Sequence, residues 1–395
     1  MKIAGRRLLI GEPEQVDVVI FDEGNSHFVR QAINTKYSIG IFNQRPADLH
    51  VSWKIIARFL SLIFRLQVRE ARQHRRGFIV GLLRQLRFLY VQACLMAMRP
   101  KAVVTFIDNA PTFGWLARHC RAFPLIAIQN GSRLSYAASQ DSGIYHQHLF
   151  CFGTHETTLL PMLGWQVEHF YPVGSLIASL HFEQHAREQG VERDVLVVST
   201  WRGNIGFPQD VQDTMRSMRV MDELLATYIT SRKIRAAVIL RAERDSEHWA
   251  MPEIGMSEEA YFRSIYADGI EIIETDFSKR NIFPLVQGSE VIVSCLSSAL
   301  MEALGVGKKI CYFNFTGTDL YHRDIDAALV STDCDREAFF QKIDALLAIP
   351  AVEFANKNRH LQARYMNTDA AVPTYRRIAD GIDHIIESAS GNDEK

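Results

Sequence analysis

The sequence predicts an α/β protein with two lobes, each built on a parallel β-sheet covered by helices. Three observations carry this prediction. The chain has 395 residues, which is long for one ordinary domain and suits two. Short apolar runs rich in β-branched residues alternate with longer helical stretches, a pattern typical of parallel sheets. A polar stretch at 177–193 separates one such series from a second.

The first series holds six predicted strands and four predicted helices. The strands are short, apolar and mostly bounded by turn or polar residues. We predict them at 16–21, 37–42, 102–107, 124–128, 148–152 and 167–173. We predict the helices at 52–66, 78–98, 111–120 and 155–163. The first lobe is therefore expected at 1–176.

The second series repeats this alternation and ends in helices. Its predicted strands are 194–200, 236–240, 270–275, 290–294 and 309–313. Its predicted helices are 209–232, 257–267, 298–306, 335–347, 352–366 and 374–389. We therefore expect a linker at 177–193, a second lobe at 194–372, and a terminal helix with a polar tail at 373–395. His181 and His185 lie four apart in the polar linker without a third metal ligand, so we interpret them as solvated.

Composition excludes several classes of protein. Hydrophobic residues make up 47% and charged residues 23%, a globular balance that argues against disorder. The net charge of −1 lacks the basic excess of a nucleic-acid binder. Six scattered cysteines without a C-x-x-C pair indicate buried thiols in a reducing compartment. The apolar run at the start is too short for a signal peptide, and no window of about 18 consecutive apolar residues exists. We expect a cytoplasmic protein.

Charge is concentrated between residues 51 and 100. This region contains ten basic residues and a single acid, Glu70. Basic amphipathic helices with aromatic residues are attracted to anionic membranes, by about 1 kcal/mol per cation near the surface. The alternative is two ordinary helices, each with one core face and one solvated basic face. Contact with the inner face of a membrane is therefore one expectation for this region.

The segment 289–314 has features of an anion-binding loop. A buried strand ends at Ser294, a short loop carries Ser297 and Ser298, and a helix begins at once. Free N–H groups at a helix start favour an anion, and small serines let a phosphate come close. Glu302, further along, has a carboxylate suited to ribose hydroxyls. The alternative is that Ser297 or Ser298 caps the helix and that Glu302 completes a capping box or lies on the polar face of the helix.

The order strand, S-x-x-S-S-A-L-M-E-A-L-G-V-G-K-K, strand resembles the sugar-donor site of GT-B glycosyltransferases that build bacterial surface glycans. It is similar to surface carbohydrate biosynthesis proteins, to the retaining β-Kdo transferases of capsule and O-antigen synthesis, and more distantly to CDP-glycerol glycerophosphotransferases. The late segment YMNTDAAVPTYRRIADGI fits the same group. The resemblance implies two Rossmann-like lobes with a cleft between them and a C-terminal helix that returns to the first lobe. It also implies that Ser297 and Ser298 contact phosphate and that Glu302 lies near the ribose.

The resemblance further implies a nucleotide sugar as co-substrate and a growing polysaccharide or lipid-linked glycan as acceptor. A CMP-linked sugar, such as Kdo or a sialic-acid-like sugar, is the implied donor. Relatives often have a His-Pro pair after the second strand of this lobe, where this chain has Arg241-Ala242-Glu243-Arg244. That departure weakens the inference of a CMP-linked donor. Arg241 or Arg244 is a candidate for the phosphate contact instead.

Sugar transfer needs a base or a carboxylate nucleophile. His155 and Glu156 follow a predicted strand at the start of a helix, and either is a candidate general base. The alternative is that Thr154 caps this helix and Glu156 favours its dipole. Asp210 is a candidate carboxylate facing the sugar, or an ordinary residue early in a helix. The chain has no P-loop, G-x-S-x-G, H-E-x-x-H or D-x-D motif, so we expect a metal-independent reaction without a cofactor.

Further candidates lie at strand ends, where ligands bind in open parallel sheets. In the second lobe, Thr200, Arg202 and Gly203 lie in a loop that suits pyrophosphate or the base. In the first lobe, polar residues after two strands are candidates for binding the acceptor. These are Asp108, Asn109, Gln129, Asn130 and Gly131. The alternative for Asn130-Gly131 is a tight turn.

Two other functions fit the same layout. A sugar-nucleotide 2-epimerase has the same double-Rossmann arrangement and needs no acceptor. A non-catalytic polysaccharide assembly protein would keep the fold and use its basic helices to recruit partners.

Overall fold

The computed structural model describes most of the chain. It covers residues 2–3, 6–21, 24–43, 48–64, 77–133, 144–184, 191–201, 209–241, 256–276, 281–319, 322, 324–369 and 371–390. For 2–3, 6–8, 48, 183–184 and 209–211 only the backbone is described.

The first lobe contains a three-stranded sheet and a larger six-stranded sheet. The small sheet has the order β1-β2-β5, and the large one has the order β4-β3-β6-β7-β8-β9 with every pairing parallel. The strands are β1 (Lys2–Ile3), β2 (Arg6–Ile10), β3 (Val18–Ile20), β4 (Ile39–Ile41), β5 (Asp48–Val51), β6 (Ala102–Thr105), β7 (Leu125–Ile128), β8 (Tyr145–Cys151) and β9 (Gln166–Pro172). The helices are α1 (Ser26–Gln31), α2 (Trp53–Ile63), α3 (Phe78–Met98), α4 (Pro111–His119), α5 (His155–Met162) and α6 (Leu176–Gln184).

The second lobe is built on one six-stranded parallel sheet with the order β12-β11-β10-β13-β14-β15. Its strands are β10 (Arg193–Val198), β11 (Ala236–Ile239), β12 (Glu271–Ile273), β13 (Ser289–Ser294), β14 (Lys309–Phe313) and β15 (Val330–Ser331). Its helices are α7 (Gln209–Arg232), α8 (Glu258–Tyr266), α9 (Ile282–Gln287), α10 (Ala299–Gly305), α11 (Arg336–Ala348), α12 (Ala351–Lys357) and α13 (Arg359–Tyr365), with a 3-10 turn at Ala327–Leu329. Counted along the chain this order is 3-2-1-4-5-6, the Rossmann order.

The central strands are apolar runs because helices cover both faces of each sheet. All four residues of β6, β7 and β11 are buried, as are all five of β14. A strand buried on both faces reads as a continuous hydrophobic run. For this reason the continuous apolar runs in the sequence predicted the positions of these strands.

Helix boundaries follow local signals. Ser52 accepts a hydrogen bond from the Ile55 amide at the start of α2, and Asp335 accepts two at the start of α11. The single helix predicted at 352–366 is wrong, because the chain breaks at Asn358 into α12 and α13. All six cysteines are free, and all but Cys334 are buried.

The last helix, α14 (Thr374–Ser390), returns to the first lobe. Its isoleucines, including Ile378 and Ile382, share a core cluster with β3 and α6. Gly381 lets it approach closely, since a Cβ there would lie 2.6 Å from the Phe150 ring of β8. The structure therefore confirms the α/β architecture of two lobes with a C-terminal helix packed on the first.

Helix α3 has the length and composition of a membrane span, one such helix among the described residues. Half of its most apolar window is buried inside the protein. Leu89, Val91 and Leu95 belong to the core of the first lobe. A core helix passes the same test of length and hydropathy, and the packing of α3 is that of a core helix.

Candidate functional site

The two lobes meet at a cleft located where the strands end. In the second sheet the strand order reverses between β10 and β13, and ligands of open α/β sheets bind at such a reversal. The Ser294 hydroxyl donates a 2.7 Å hydrogen bond to the Val198 carbonyl and joins these two strand ends. Ser199 and Thr200 follow one strand, and residues 295–298 follow the other. Both loops open into the cleft.

The cleft has a volume of about 340 Å³ and is lined from both lobes. This volume lies within the range of small-molecule sites, roughly 300–1,000 Å³. The first lobe contributes mainly residues 130–133 after β7, together with Ile177. The second lobe contributes the loops after β10, β11, β12 and β13, the start of α10, and the side chain of Tyr312.

The loop between β13 and α10 places three of the predicted residues, Ser297, Ser298 and Glu302, in the cleft wall. Ser298 stands at the helix start but makes no side-chain cap. The Ser297 hydroxyl accepts a hydrogen bond from the Ala299 amide at 3.3 Å. Glu302 accepts one from the Ser175 hydroxyl of the first lobe at 2.6 Å. Ser297 and not Ser298 therefore bonds an amide at the start of α10, and Glu302 links the two lobes.

The opposite wall is formed by Asn130, Gly131, Ser132 and Arg133. A Cβ added to Gly131 would lie 3.8 Å from the Ser298 hydroxyl, so the two walls approach closely here. Arg133 was not among the predicted residues, although it brings a guanidinium to this wall. No sequence signal distinguished it from the chain's other arginines, because its place depends on a buried partner.

That partner is Asp108, whose side chain is fully buried and forms an ion pair with Arg133. The same guanidinium nitrogen donates to the Asn130 side-chain oxygen at 3.0 Å. Burial raises the pKa of Asp108, and the charge of Arg133 opposes that rise. Asp108, predicted to bind the acceptor, thus lies behind the wall and anchors Arg133. Asn109 is exposed at the turn before α4.

Arg241 and Thr200 line the cleft on the second lobe. The Arg241 amide donates to Glu258 at 2.9 Å, and its guanidinium donates to the Trp201 carbonyl at 3.0 Å. Glu258 also accepts a hydrogen bond from the Ser199 hydroxyl. The buried Glu258 carboxylate therefore joins the loop after β10 to the loop after β11.

Glu156 and His155 lie away from the cleft wall. The Glu156 carboxylate is buried and accepts from the Gln129 amide at 3.3 Å and from the Gly153 N–H at 3.0 Å. Burial raises its pKa to about 7. Gln129 also donates to the Gly131 carbonyl and accepts from the Phe152 amide. Glu156 and Gln129 thus brace the loops that follow β7 and β8.

The His155 ring packs edge-on against Tyr365 of α13, with centroids 4.9 Å apart. Burial lowers its pKa to about 4, so the ring is neutral at physiological pH. This contact joins the first lobe to the second. Thr154 stands at the N-cap of α5 without a side-chain cap, so the capping part of that alternative is wrong, whereas Glu156 does lie in the first turn, where a carboxylate favours the helix dipole.

Other predicted residues fall elsewhere. Arg202, Gly203, Arg244 and the side chain of Asp210 lie outside the described residues. His181 is buried and its ring stacks on Phe283 at 5.1 Å, so the prediction that it is solvated is wrong. The sequence could not show this contact, because Phe283 is a hundred residues away. His185 lies outside the described residues.

The chain crosses between the lobes a second time near 366–377. The Asn367 amide donates to the Phe152 carbonyl at 2.7 Å, and its side chain donates to the Pro172 carbonyl at 2.8 Å. The Arg377 guanidinium donates to the carbonyls of Pro172, Val173 and Asn367. These bonds hold the crossing segment against the ends of β8 and β9 in the first lobe.

No protein-family model matches this chain, and no curated protein resembles it in sequence. Solved structures resemble it in fold. UDP-GlcNAc 2-epimerase from Neisseria meningitidis bound to UDP-GlcNAc has a TM-score of 0.51 at 12% identity, covering 94% of this chain and 99% of that one. The S. aureus MnaA–UDP structure has a TM-score of 0.53 at 12% identity, covering 97% of each chain. Sucrose-phosphate synthase from Thermosynechococcus elongatus has a TM-score of 0.51 at 11% identity, covering 98% of this chain and all of that one.

At these identities the likeness establishes the fold. The chain has the GT-B fold, with two Rossmann-like lobes, a cleft between them and a C-terminal helix on the first lobe.

Proposed function

We propose that this protein is a glycosyltransferase whose cleft binds a nucleotide-activated sugar. The observation that carries the proposal is the polar lining of the cleft, with Arg133 on one wall and Arg241 and Ser298 on the other. A nucleotide sugar carries its negative charge on phosphate, and arginine and hydroxyl groups are its natural hydrogen-bond donors. The structures that share the fold include, by their names, complexes with UDP-GlcNAc and with UDP.

The roles of individual residues follow from where they lie. In this proposal Ser297, Ser298 and Arg241, which line the cleft at the strand reversal, contact phosphate, and Arg133 approaches the phosphate from the first lobe. The Glu302 carboxylate is an acceptor and suits a ribose hydroxyl. We propose that Asn130 and Gly131, which line the cleft beside Arg133, bind the acceptor. A guanidinium on each wall would stabilise the leaving phosphate as the sugar bond breaks.

The proposed acceptor is a growing surface polysaccharide or a lipid-linked glycan, as in capsule or O-antigen synthesis. We propose a cytoplasmic location and a reaction that needs neither metal nor cofactor. A CMP-linked sugar such as Kdo remains the proposed donor on the sequence resemblance alone.

A sugar-nucleotide 2-epimerase is the second candidate, because named epimerases share this fold over nearly the whole chain. The two activities separate in one assay. An epimerase converts the nucleotide sugar without an acceptor and yields the epimerised sugar. A transferase keeps the sugar unchanged until an acceptor is added.

Nucleotide binding is tested by thermal shift against CMP, CDP, UDP, GDP and their sugars. A ligand at about a hundred times its Kd stabilises the folded state by about 2.7 kcal/mol. For a chain of 395 residues, an unfolding entropy of about 2.1 cal/mol/K per residue converts this to roughly 3 °C. We expect one nucleotide class to produce such a shift.

Matched variants locate the bound ligand. Ser298→Trp fills the cleft and should abolish the thermal shift caused by the nucleotide. Thr230→Trp, on the exposed face of α7, should leave that shift unchanged. Glu302→Ala should weaken it. Ser175→Ala removes the bond between the lobes but keeps the Glu302 carboxylate, so it separates loss of a ligand contact from loosening of the cleft. A shift that survives both Ser298→Trp and Glu302→Ala would refute this site.

A further inference from the structure

The first lobe exposes an apolar face on α2. Trp53, Ile56, Leu60 and Phe64 follow one another at helical spacing, and Trp53 and Phe64 are 80% and 92% exposed. The opposite side of the same helix buries Ile55 and Leu62 in the core. Helix α2 therefore has two apolar faces, and only one of them is used by the fold.

The start of α3 extends this face. Helix α3 packs against α2, and its first turns expose Phe78, Ile79, Val80 and Leu83, with Ile79 71% exposed. Soluble monomers rarely expose so many large apolar side chains side by side. We call these eight residues of α2 and α3 the apolar platform.

The length of α3 carries the start of the platform toward the carboxyl edge of the first sheet. Helix α3 ends at Met98, shortly before β6 begins at Ala102, so its last turn lies at the amino edge of the sheet. The helix is about 31 Å long and the four-residue strand about 13 Å. The first turns of α3 consequently project past the carboxyl edge of the sheet, where the cleft opens.

The charge around the platform favours an anionic partner. Neither α2 nor α3 contains an aspartate or glutamate, while Arg58, Arg84 and Arg87 lie on them together with Lys54, which is ion-paired with Glu12. Between the helices, the sequence of residues 65–76 adds five arginines and one glutamate. A second copy of this chain would bring two such basic regions together at a symmetric contact, which is unfavourable. An anionic lipid surface meets both the apolar and the basic character.

We propose that the apolar platform docks on an anionic membrane surface, inserting the side chains of Trp53, Leu60, Phe64 and Ile79 among the lipids. This places the opening of the cleft next to the membrane. That the acceptor is lipid-linked rests on the proposed function, whereas membrane docking itself needs no nucleotide.

Co-sedimentation with vesicles tests the proposal. Vesicles of phosphatidylcholine alone are compared with an equimolar mixture of phosphatidylcholine and phosphatidylglycerol. The wild type should bind the anionic vesicles, and added salt should weaken this binding. Leu60→Ser combined with Ile79→Ser should reduce the partition constant by roughly tenfold for each side chain withdrawn from lipid.

The matched control combines Met162→Ser with Val352→Ser, which alters two exposed apolar residues on other helices, α5 and α12. It should bind vesicles like the wild type. Thermal melting shows that each variant is folded, and nucleotide shifts on the same variants test the cleft separately. Loss of vesicle binding with nucleotide binding intact supports the platform and leaves the cleft assignment standing.

Trp53 gives a second readout, because its emission should move to shorter wavelength on anionic vesicles and Trp53→Phe should abolish that shift. Absence of wild-type binding to anionic vesicles would overturn the proposal. Equal binding by the platform double variant would also overturn it. So would a dimer in gel filtration that the platform substitutions disperse, since a second copy would then cover this face.

Discussion

Replacing Gly153 with alanine tests how closely the two lobes are held together. Gly153 follows β8 in the first lobe and faces the end of α13. A Cβ at this position would lie 2.0 Å from the Arg364 carbonyl oxygen and 2.6 Å from its carbon. Carbon and oxygen need about 3.3 Å, so the two segments must part by roughly 1.3 Å.

The cost of this separation follows from neighbouring contacts. The hydrogen bond from the Asn367 amide to the Phe152 carbonyl, 2.7 Å long, spans the same gap and would break. Its loss costs about 1 kcal/mol, and overpacking costs about 1–3 kcal/mol. The sum is about 3 kcal/mol. With an unfolding entropy of about 2.1 cal/mol/K per residue over 395 residues, the thermal midpoint should fall by roughly 4 °C.

The assay is thermal unfolding followed by circular dichroism, with Gly288→Ala as the control. At Gly288 the nearest atom to an added Cβ is 3.5 Å away, an ordinary contact, so its midpoint should stay near that of the wild type. The same displacement should widen the cleft and weaken nucleotide binding. A Gly153→Ala protein that melts with the wild type and the control would refute the close interlobe contact.

Two buried charged groups give further predictions. Burial raises the pKa of Asp222 to about 7, with Tyr261 and Tyr266 donating hydrogen bonds to it. Between about pH 4 and 7 the folded protein holds a proton that the unfolded chain releases, so stability falls as pH rises through this window. Asp222→Asn should remove this pH dependence of stability. The thermal midpoint of the variant minus that of the wild type should therefore be larger at pH 8 than at pH 5. Only this difference isolates Asp222, because Glu156 titrates in the same range; a constant difference across these pH values would contradict it. Lys309 is buried, ion-paired with Glu290, and donates to the Ile349 carbonyl, so Lys309→Met should lower the unfolding free energy by about 3 kcal/mol. A melting curve unchanged from wild type would disprove that estimate.

The sequence predicted the elements whose signals are local. Helix α3 was predicted with its observed limits because Gly77 precedes it and Arg99-Pro100 ends it. The inner strands were predicted because they are continuous apolar runs. The small N-terminal sheet was missed, since β2 begins with two arginines and does not alternate like a half-buried strand.

Long-range contacts account for the other differences. Helix α6 falls largely in the stretch expected to be a polar linker, yet Leu176, Ile177 and Leu180 pack against isoleucines of α14 two hundred residues later. A window of sequence cannot report such a partner.

In the candidate site, too, residues with a local sequence signal were predicted and residues positioned by long-range contacts were not. Ser297, Ser298 and Glu302 were found because strand, small loop and helix follow one another directly in the chain. Glu156 was selected for its position after a strand, but the amides of Gln129 and Gly153 occupy its oxygens. Arg133 was missed because its position depends on a buried carboxylate 25 residues away.

The returning helix α14 also sets an order of events during synthesis. Ile378 and Ile382 complete a cluster that contains Val18, Ile20 and Val104, so one face of the first sheet is covered only in part, by α1 and α6, until α14 has been made. An N-terminal fragment would carry that apolar face into solvent, where it favours aggregation. The first lobe is translated before the second, yet its core is completed after it. Removing α14 should therefore harm the lobe farthest from it along the chain.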